Sequence, residues 1–249
     1  ETWLKEGLID LLCPGGSYES VLRDSYTDII ELGHKYEIPV YPCISWAFWD
    51  RWVYLDHNDG RYRHYADWLE TLYGGQPDRI GKPSYILVFN RWEGTFPAWR
   101  GAAMNLFDAG ADGLYIFNPA LGEPRWWFEI GEVETMAGKN RIYGIDRFEG
   151  KNSFHHIQEV DLEPGAPVET GFQVGEDVGA TDAHSIDFRI HLWNHVSGDD
   201  VAVNLNGSPI DGLAAADPGR DPEKGQWLQG HLSAEMVRRG ENILEVTAN

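Results

Sequence analysis

The sequence predicts two fold classes in succession. The first is α/β, the C-terminal βα units of a (β/α)8 barrel over residues 1–150, and the second is all-β, a small antiparallel β-sandwich over residues 151–249. Three observations predict this. The segment Trp99–Asn118 reads as helix, tight turn, buried strand and polar tip. Two further pairings of an apolar run with a helical stripe precede it. Near Lys151 helical periodicity gives way to alternation punctuated by turn residues.

Within Trp99–Asn118, apolar or small residues at Trp99, Ala102, Ala103, Leu106, Phe107 and Gly110 share one face of a 3.6-residue period. Gly110 stands where a helix end favours a residue tolerant of positive φ. Leu114-Tyr-Ile-Phe117 is a short apolar run of the kind buried on both faces of a parallel sheet. It delivers Asn118 to a strand's C-terminal end, where such barrels keep their chemistry.

Toward the N-terminus, Leu8–Cys13 reads as a barrel strand followed by the turn Pro14-Gly-Gly16 and a helix over about Tyr18–Tyr36. Ile38–Ile44 reads as a second buried strand whose two prolines limit its ladder. An aromatic-rich excursion then carries a helix at Tyr62–Leu72 and a strand at Ser84–Phe89. A closed barrel takes roughly 250 residues. The first 150 here therefore read as its last third to half, and the start at Glu1 reads as a chain lacking its natural N-terminus, with earlier barrel units of the same protein as its missing partner. Beyond Lys151, strands are expected at Val168–Val174, Ser185–Trp193, Val201–Leu205, Trp227–Leu232 and Ile243–Val246, with Asn206-Gly207 as a hairpin turn.

Composition narrows the function. With 42% hydrophobic and 13% aromatic residues among 249, the chain can bury a core. Its 40 acidic against 20 basic residues argue against nucleic acid and anionic membranes as partners. No run is apolar enough to span a membrane. Cys13 and Cys43 show no metal-ligand spacing and read as two buried reduced thiols, so neither metal nor cofactor is expected.

Trp3–Asp10, Ala109–Asn118 and Phe128–Met136 running on to Arg141-Ile-Tyr143 stand in an order that resembles the C-terminal half of bacterial glycoside-hydrolase-like TIM-barrel proteins, family-10-like and largely uncharacterised. In that family the closing Ala-Gly-Ala-Asp-Gly unit is often followed by a small β-sandwich, and Val203-Asn-Leu-Asn-Gly207 is similar to a hairpin of accessory jelly-roll domains. The resemblance implies action on, or binding of, poly- or oligosaccharide, and a secreted or periplasmic location over a cytoplasmic one.

Glycoside hydrolysis needs two carboxyl groups flanking the scissile bond. Glu93, in Phe89-Asn-Arg-Trp-Glu-Gly94 just past an expected strand, is the first candidate, and Asp50 the second. Asp10 and Asp112 read as structural. Trp46–Tyr54 holds five aromatic residues in nine, which suits stacking on the apolar faces of sugar rings. Trp46, Trp49, Trp52, Trp92, Asn90 and Asn118 are the candidate substrate contacts. The alternative is a carbohydrate-binding protein that keeps the aromatic platform without a working carboxylate pair.

Overall fold

A computed structural model describes residues 1–15, 26–45, 92–117, 128–143, 162–181, 185–192, 201–215 and 226–248. The chain divides into two compact units. Among the described residues the first holds 1–15, 26–45, 92–117, 128–143 and 173–176, and the second holds the rest.

In the first unit, helix α1 (Thr2–Lys5) precedes a short extended segment, and α2 (Thr27–Lys35) leads to strand β1 (Cys43–Ser45). Helix α3 (Trp92–Asp108) leads to β2 (Tyr115–Phe117). Strands β1 and β2 run parallel, with Cys43 opposite Tyr115 and Ser45 opposite Phe117. Leu12 forms an isolated parallel bridge to Val40. Helices and strands share a core of Tyr26, Ile30, Val40, Ile44, Trp99, Ala102, Ala103, Leu106, Ile130 and Met136. The one-face spacing of Trp99, Ala102, Ala103 and Leu106 thus does what its period predicts. Gly110 reverses the chain after α3 with φ of +98°, in the left-handed region that glycine tolerates.

The (β/α)8 TIM barrel expected over residues 1–150 is corrected by these observations. Among the described residues, parallel pairing amounts to a two-stranded sheet and two isolated bridges, while the pairs β4–β8, β7–β8, β5–β6 and β5–β9 of the small remaining sheets are antiparallel. A barrel strand is buried on both faces, yet Leu8 is 65% exposed and Tyr115 44% exposed. Pro39 and Pro42 have no N–H to donate, so the run Ile38–Ile44 contributes only a bridge at Val40 and the first two residues of β1. Apolar runs and helical stripes are local signals; they do not encode how many strands join. Cys13, expected to be buried, is exposed; Cys43 is buried, and the two form no disulfide. The expected helix at 62–72 and strand at 84–89 lie outside the described residues.

The second unit has two small sheets. One has the order β3 (Val168–Val174), β9 (Gly240–Ala248), β5 (Val201–Leu205), β6 (Ser208–Pro209), and the other β4 (Asp187–Leu192), β8 (Gln226–His231), β7 (Ala214–Ala215). Alternation predicts β5 and β9 best, because each buries alternate residues on one face. Val203 lies opposite Val246 and Leu205 opposite Leu244, all four buried. The β5–β6 hairpin closes through Asn206 and Gly207 with φ of 54° and 80°, the left-handed pair that a two-residue turn matched to strand twist requires.

Candidate functional site

Three parallel segments of the first unit end at one edge. Tyr41 N–H donates to the Leu12 carbonyl at 2.8 Å and Cys43 N–H to the Pro14 carbonyl at 2.8 Å, which lays residues 12–14 along 40–43. On the other side Asp112 N–H donates to Val40 and Tyr115 N–H to Pro42, each at 3.0 Å. At the first segment's end Gly15 adopts φ of +133°, and a Cβ there would stand 2.6 Å from the Cys43 Cβ and 3.2 Å from the Tyr26 hydroxyl. The backbone at residue 15 therefore sits directly on β1, and no larger residue fits. In open α/β sheets the crevice at the carboxyl ends of parallel strands is where ligands bind.

Of the residues the sequence nominates, Trp46, Trp49, Asp50, Trp52, Asn90 and Asn118 lie outside the described residues. Two of those follow described strands directly: Trp46 comes next after Ser45, and Asn118 after Phe117, its register partner. Trp92 and Glu93 occupy the first turn of α3 instead of a loop beyond a strand. Helix α3 begins before the apolar stripe. A carboxylate in the first turn of a helix also complements the positive end of its dipole. Pro97, in the second turn, has no N–H, so the Glu93 carbonyl lacks its usual intrahelical donor.

Among the described polar groups of the first unit, three clusters stand out that sequence reasoning did not nominate as a site. In the first, the Tyr143 hydroxyl donates to Glu176 Oε1 at 2.6 Å, and Arg141 contacts Glu176 Oε2 at 3.1 Å. Arg141 also donates to the Met136 carbonyl at 2.8 Å. Burial, and then the neighbouring Glu176 carboxylate, push the Tyr143 phenol far above its ordinary range. In the second, Glu129 is held between Arg100 and Lys139, the latter at 2.6 Å. Burial works to raise the Glu129 carboxyl, but Lys139 and Arg100 outweigh it and hold it below the usual value. In the third, Asp112 Oδ2 lies 2.8 Å from both the Val40 amide nitrogen and His34 Nε2.

Each cluster ties distant parts of the chain together, which suits scaffolding; in the first, Arg141 Nε is buried without a hydrogen-bond partner among the described residues. Arg141 and Tyr143 alternate onto one side, a pattern visible in sequence; Glu176, 33 residues on, carries no local signal of its pairing with Tyr143. Among the described residues no group of three or more His, Cys, Asp or Glu is gathered closely enough to hold a metal ion. No helix among the described residues is long and apolar enough to cross a membrane. No known protein-family model matches the chain, and no curated protein matches it.

Proposed function

We propose that this protein binds poly- or oligosaccharide and acts on it as a glycoside hydrolase, with Glu93 and Asp50 as its carboxyl pair. The observation that carries the proposal is the pairing of Ser45 with Phe117. In sequence, the aromatic segment Trp46–Tyr54 follows one of these residues and Asn118 the other. Indole and phenol rings offer flat apolar faces to sugar C–H groups, and an amide such as Asn118 pairs with hydroxyls.

Glu93 joins this reading through the direction of α3. The helix ends at Asp108, reverses at Gly110 and feeds the start of β2. A helix of 17 residues spans about 25 Å, so running back along the strand carries its first turn toward the strands' carboxyl edge. The resemblance to glycoside-hydrolase-like proteins adds the reaction class, in which one carboxyl protonates the leaving oxygen and the other acts as base or nucleophile. A non-catalytic carbohydrate-binding role is the second reading, favoured by the five aromatics of 46–54, which need no carboxylate to bind.

The test is a panel of soluble polysaccharides assayed for retarded migration in affinity gels and for new reducing ends. Hydrolysis that falls by about a hundredfold or more in Glu93→Gln or Asp50→Asn while retardation persists supports the enzyme. Retardation without products, abolished in the triple variant Trp46→Ala, Trp49→Ala, Trp52→Ala, supports the binding role. Neither retardation nor products overturns both.

A further inference from the structure

Asn206 and Asn242 form a densely bonded polar pair in the second unit. Asn206 Nδ2 donates to the Met236 carbonyl and to Asn242 Oδ1, both at 2.9 Å, while its Oδ1 accepts from the Ile243 amide at 3.0 Å. Its backbone N–H donates to the Ile243 carbonyl at 2.8 Å. Asn242 is fully buried. Its Oδ1 also accepts from the Arg238 amide at 2.9 Å, and its Nδ2 donates to the carbonyls of Arg238 at 2.7 Å and Gly240 at 3.0 Å. Both donors of Asn206 therefore meet acceptors that cannot turn away. Flipping the Asn242 amide to supply a donor would break its bonds to residues 238 and 240.

Asn206 is followed by Gly207, the one Asn-Gly step in the chain. Such a step is the peptide sequence most open to deamidation, because glycine has no Cβ to hinder attack. The Gly207 backbone nitrogen attacks Asn206 Cγ, the amide nitrogen leaves as ammonia, and a five-membered succinimide closes. Water then opens either ring carbonyl, giving aspartate or isoaspartate.

We propose that Asn206 is a modification site guarded by the fold: its amide is locked while the β5–β6 turn stays bonded to residues 236–243, and it deamidates once the turn opens away from them. Deamidation then bars the way back. A carboxylate oxygen in place of Nδ2 faces the Met236 carbonyl and Asn242 Oδ1, two acceptors with no proton between them. Isoaspartate adds a backbone atom within a two-residue turn whose register has Leu205 opposite Ser208. Opening of this turn becomes chemically irreversible, a local form of kinetic instability.

The test uses the full unaltered chain, incubated in mildly alkaline buffer with and without denaturing urea, then digested and mass-analysed for conversion of the peptide holding Asn206. Conversion about tenfold or more faster in urea is expected, since the folded rate is scaled by the fraction of time the turn is open. Equal rates in both conditions would overturn the guarding role. Chains converted in urea are then returned to native buffer and melted. Loss of the cooperative transition, or a lowered Tm, is expected of them and of Asn206→Asp, whereas recovery of the unaltered Tm by both would overturn the claim that deamidation prevents reclosure.

Discussion

Asp112 and Val40, 72 residues apart, bond to one another twice: the Val40 amide donates to Asp112 Oδ2 at 2.8 Å, and the Asp112 amide donates to the Val40 carbonyl at 3.0 Å. The pair closes the chain between α3 and β2 onto the segment that leads to β1. His34 Nε2, at the end of α2, adds a contact to the same carboxylate oxygen. One side chain thus ties a helix end and two parallel segments, the structural part that the sequence assigns to Asp112.

The Val40 amide is the main reason the Asp112 carboxyl titrates below its ordinary value of 3.8; burial opposes it, and His34 assists. A depressed folded pKa means that the charged form contributes stability above the ordinary value, lost as pH falls through the folded one. With the Asp112 side chain 40% exposed, solvent screening limits the effect to about 1 kcal/mol. The urea midpoint of Asp112→Asn should lie below that of the unaltered chain at neutral pH, with the gap narrowing below about pH 4. A gap independent of pH would show that the charge is immaterial.

Glycine 101 gives a prediction opposite to helix propensity. In the interior of an exposed helix, Gly→Ala stabilises by about 1 kcal/mol. At position 101 of α3 a Cβ would instead collide with the Ile142 carbonyl oxygen and stand 3.0 Å from its carbon, both backbone atoms that cannot rotate aside. Gly101→Ala should therefore destabilise by about 2 kcal/mol, read as a fall in the urea midpoint. Position 175 behaves alike, since a Cβ there meets Met104 backbone and lies 2.6 Å from the Asn105 nitrogen. An unchanged midpoint in Gly101→Ala would mean that residue 142 does not pack on α3.

At alkaline pH the governing group is Tyr143. Burial and Glu176 raise its pKa above the unfolded value of 10.0, so its stability contribution is complete below that pH and declines as pH rises above it. Subtracting the absorbance titration of Tyr143→Phe from that of the unaltered chain should show no phenolate from residue 143 until the chain unfolds. Glu176→Gln keeps an acceptor for the hydroxyl and removes the charge, and should bring the phenol downward. Ordinary titration of residue 143 in the folded chain would show that it is not enclosed.

How much of this was legible in the sequence follows from the range of each interaction. Asn206-Gly207 announces its turn because two adjacent residues supply the positive φ it needs, and Val201–Leu205 and Val168–Val174 fall where alternation puts them. The stripe of α3 is visible for the same reason, but its start at Trp92 is not, since the apolar period begins only at Trp99. The barrel was an inference about the count and closure of strands, which depends on partners far away in sequence. Leu12–Val40 and Asp112–Val40 contacts carry no local pattern to reveal them. Of the nominated site, only Trp92 and Glu93 fall within described backbone, and the polar clusters around Glu129 and Glu176 depend on side chains brought together from separate segments.

Two leucines separate the expected buried strand at residues 8–13 from the fold observed. If Leu8 were enclosed between sheet and helices, truncating it would create a cavity and cost about 2–5 kcal/mol, the range for buried leucine. It is 65% exposed, so Leu8→Ala should move the melting transition within about 0.5 kcal/mol of the unaltered chain. Leu205 is the contrast: fully buried on β5 opposite Leu244, it has no solvent-facing alternative, and Leu205→Ala should cost the full 2–5 kcal/mol, or about that. The two variants remove the same atoms, so intrinsic side-chain hydrophobicity cancels between them and the difference in urea midpoint reports enclosure alone. Because the two residues lie in different units, each midpoint should be followed by a probe in its own unit, with amide exchange of α3 for the first and of β5 and β9 for the second. Equal losses at both positions would restore a buried strand to residues 8–13.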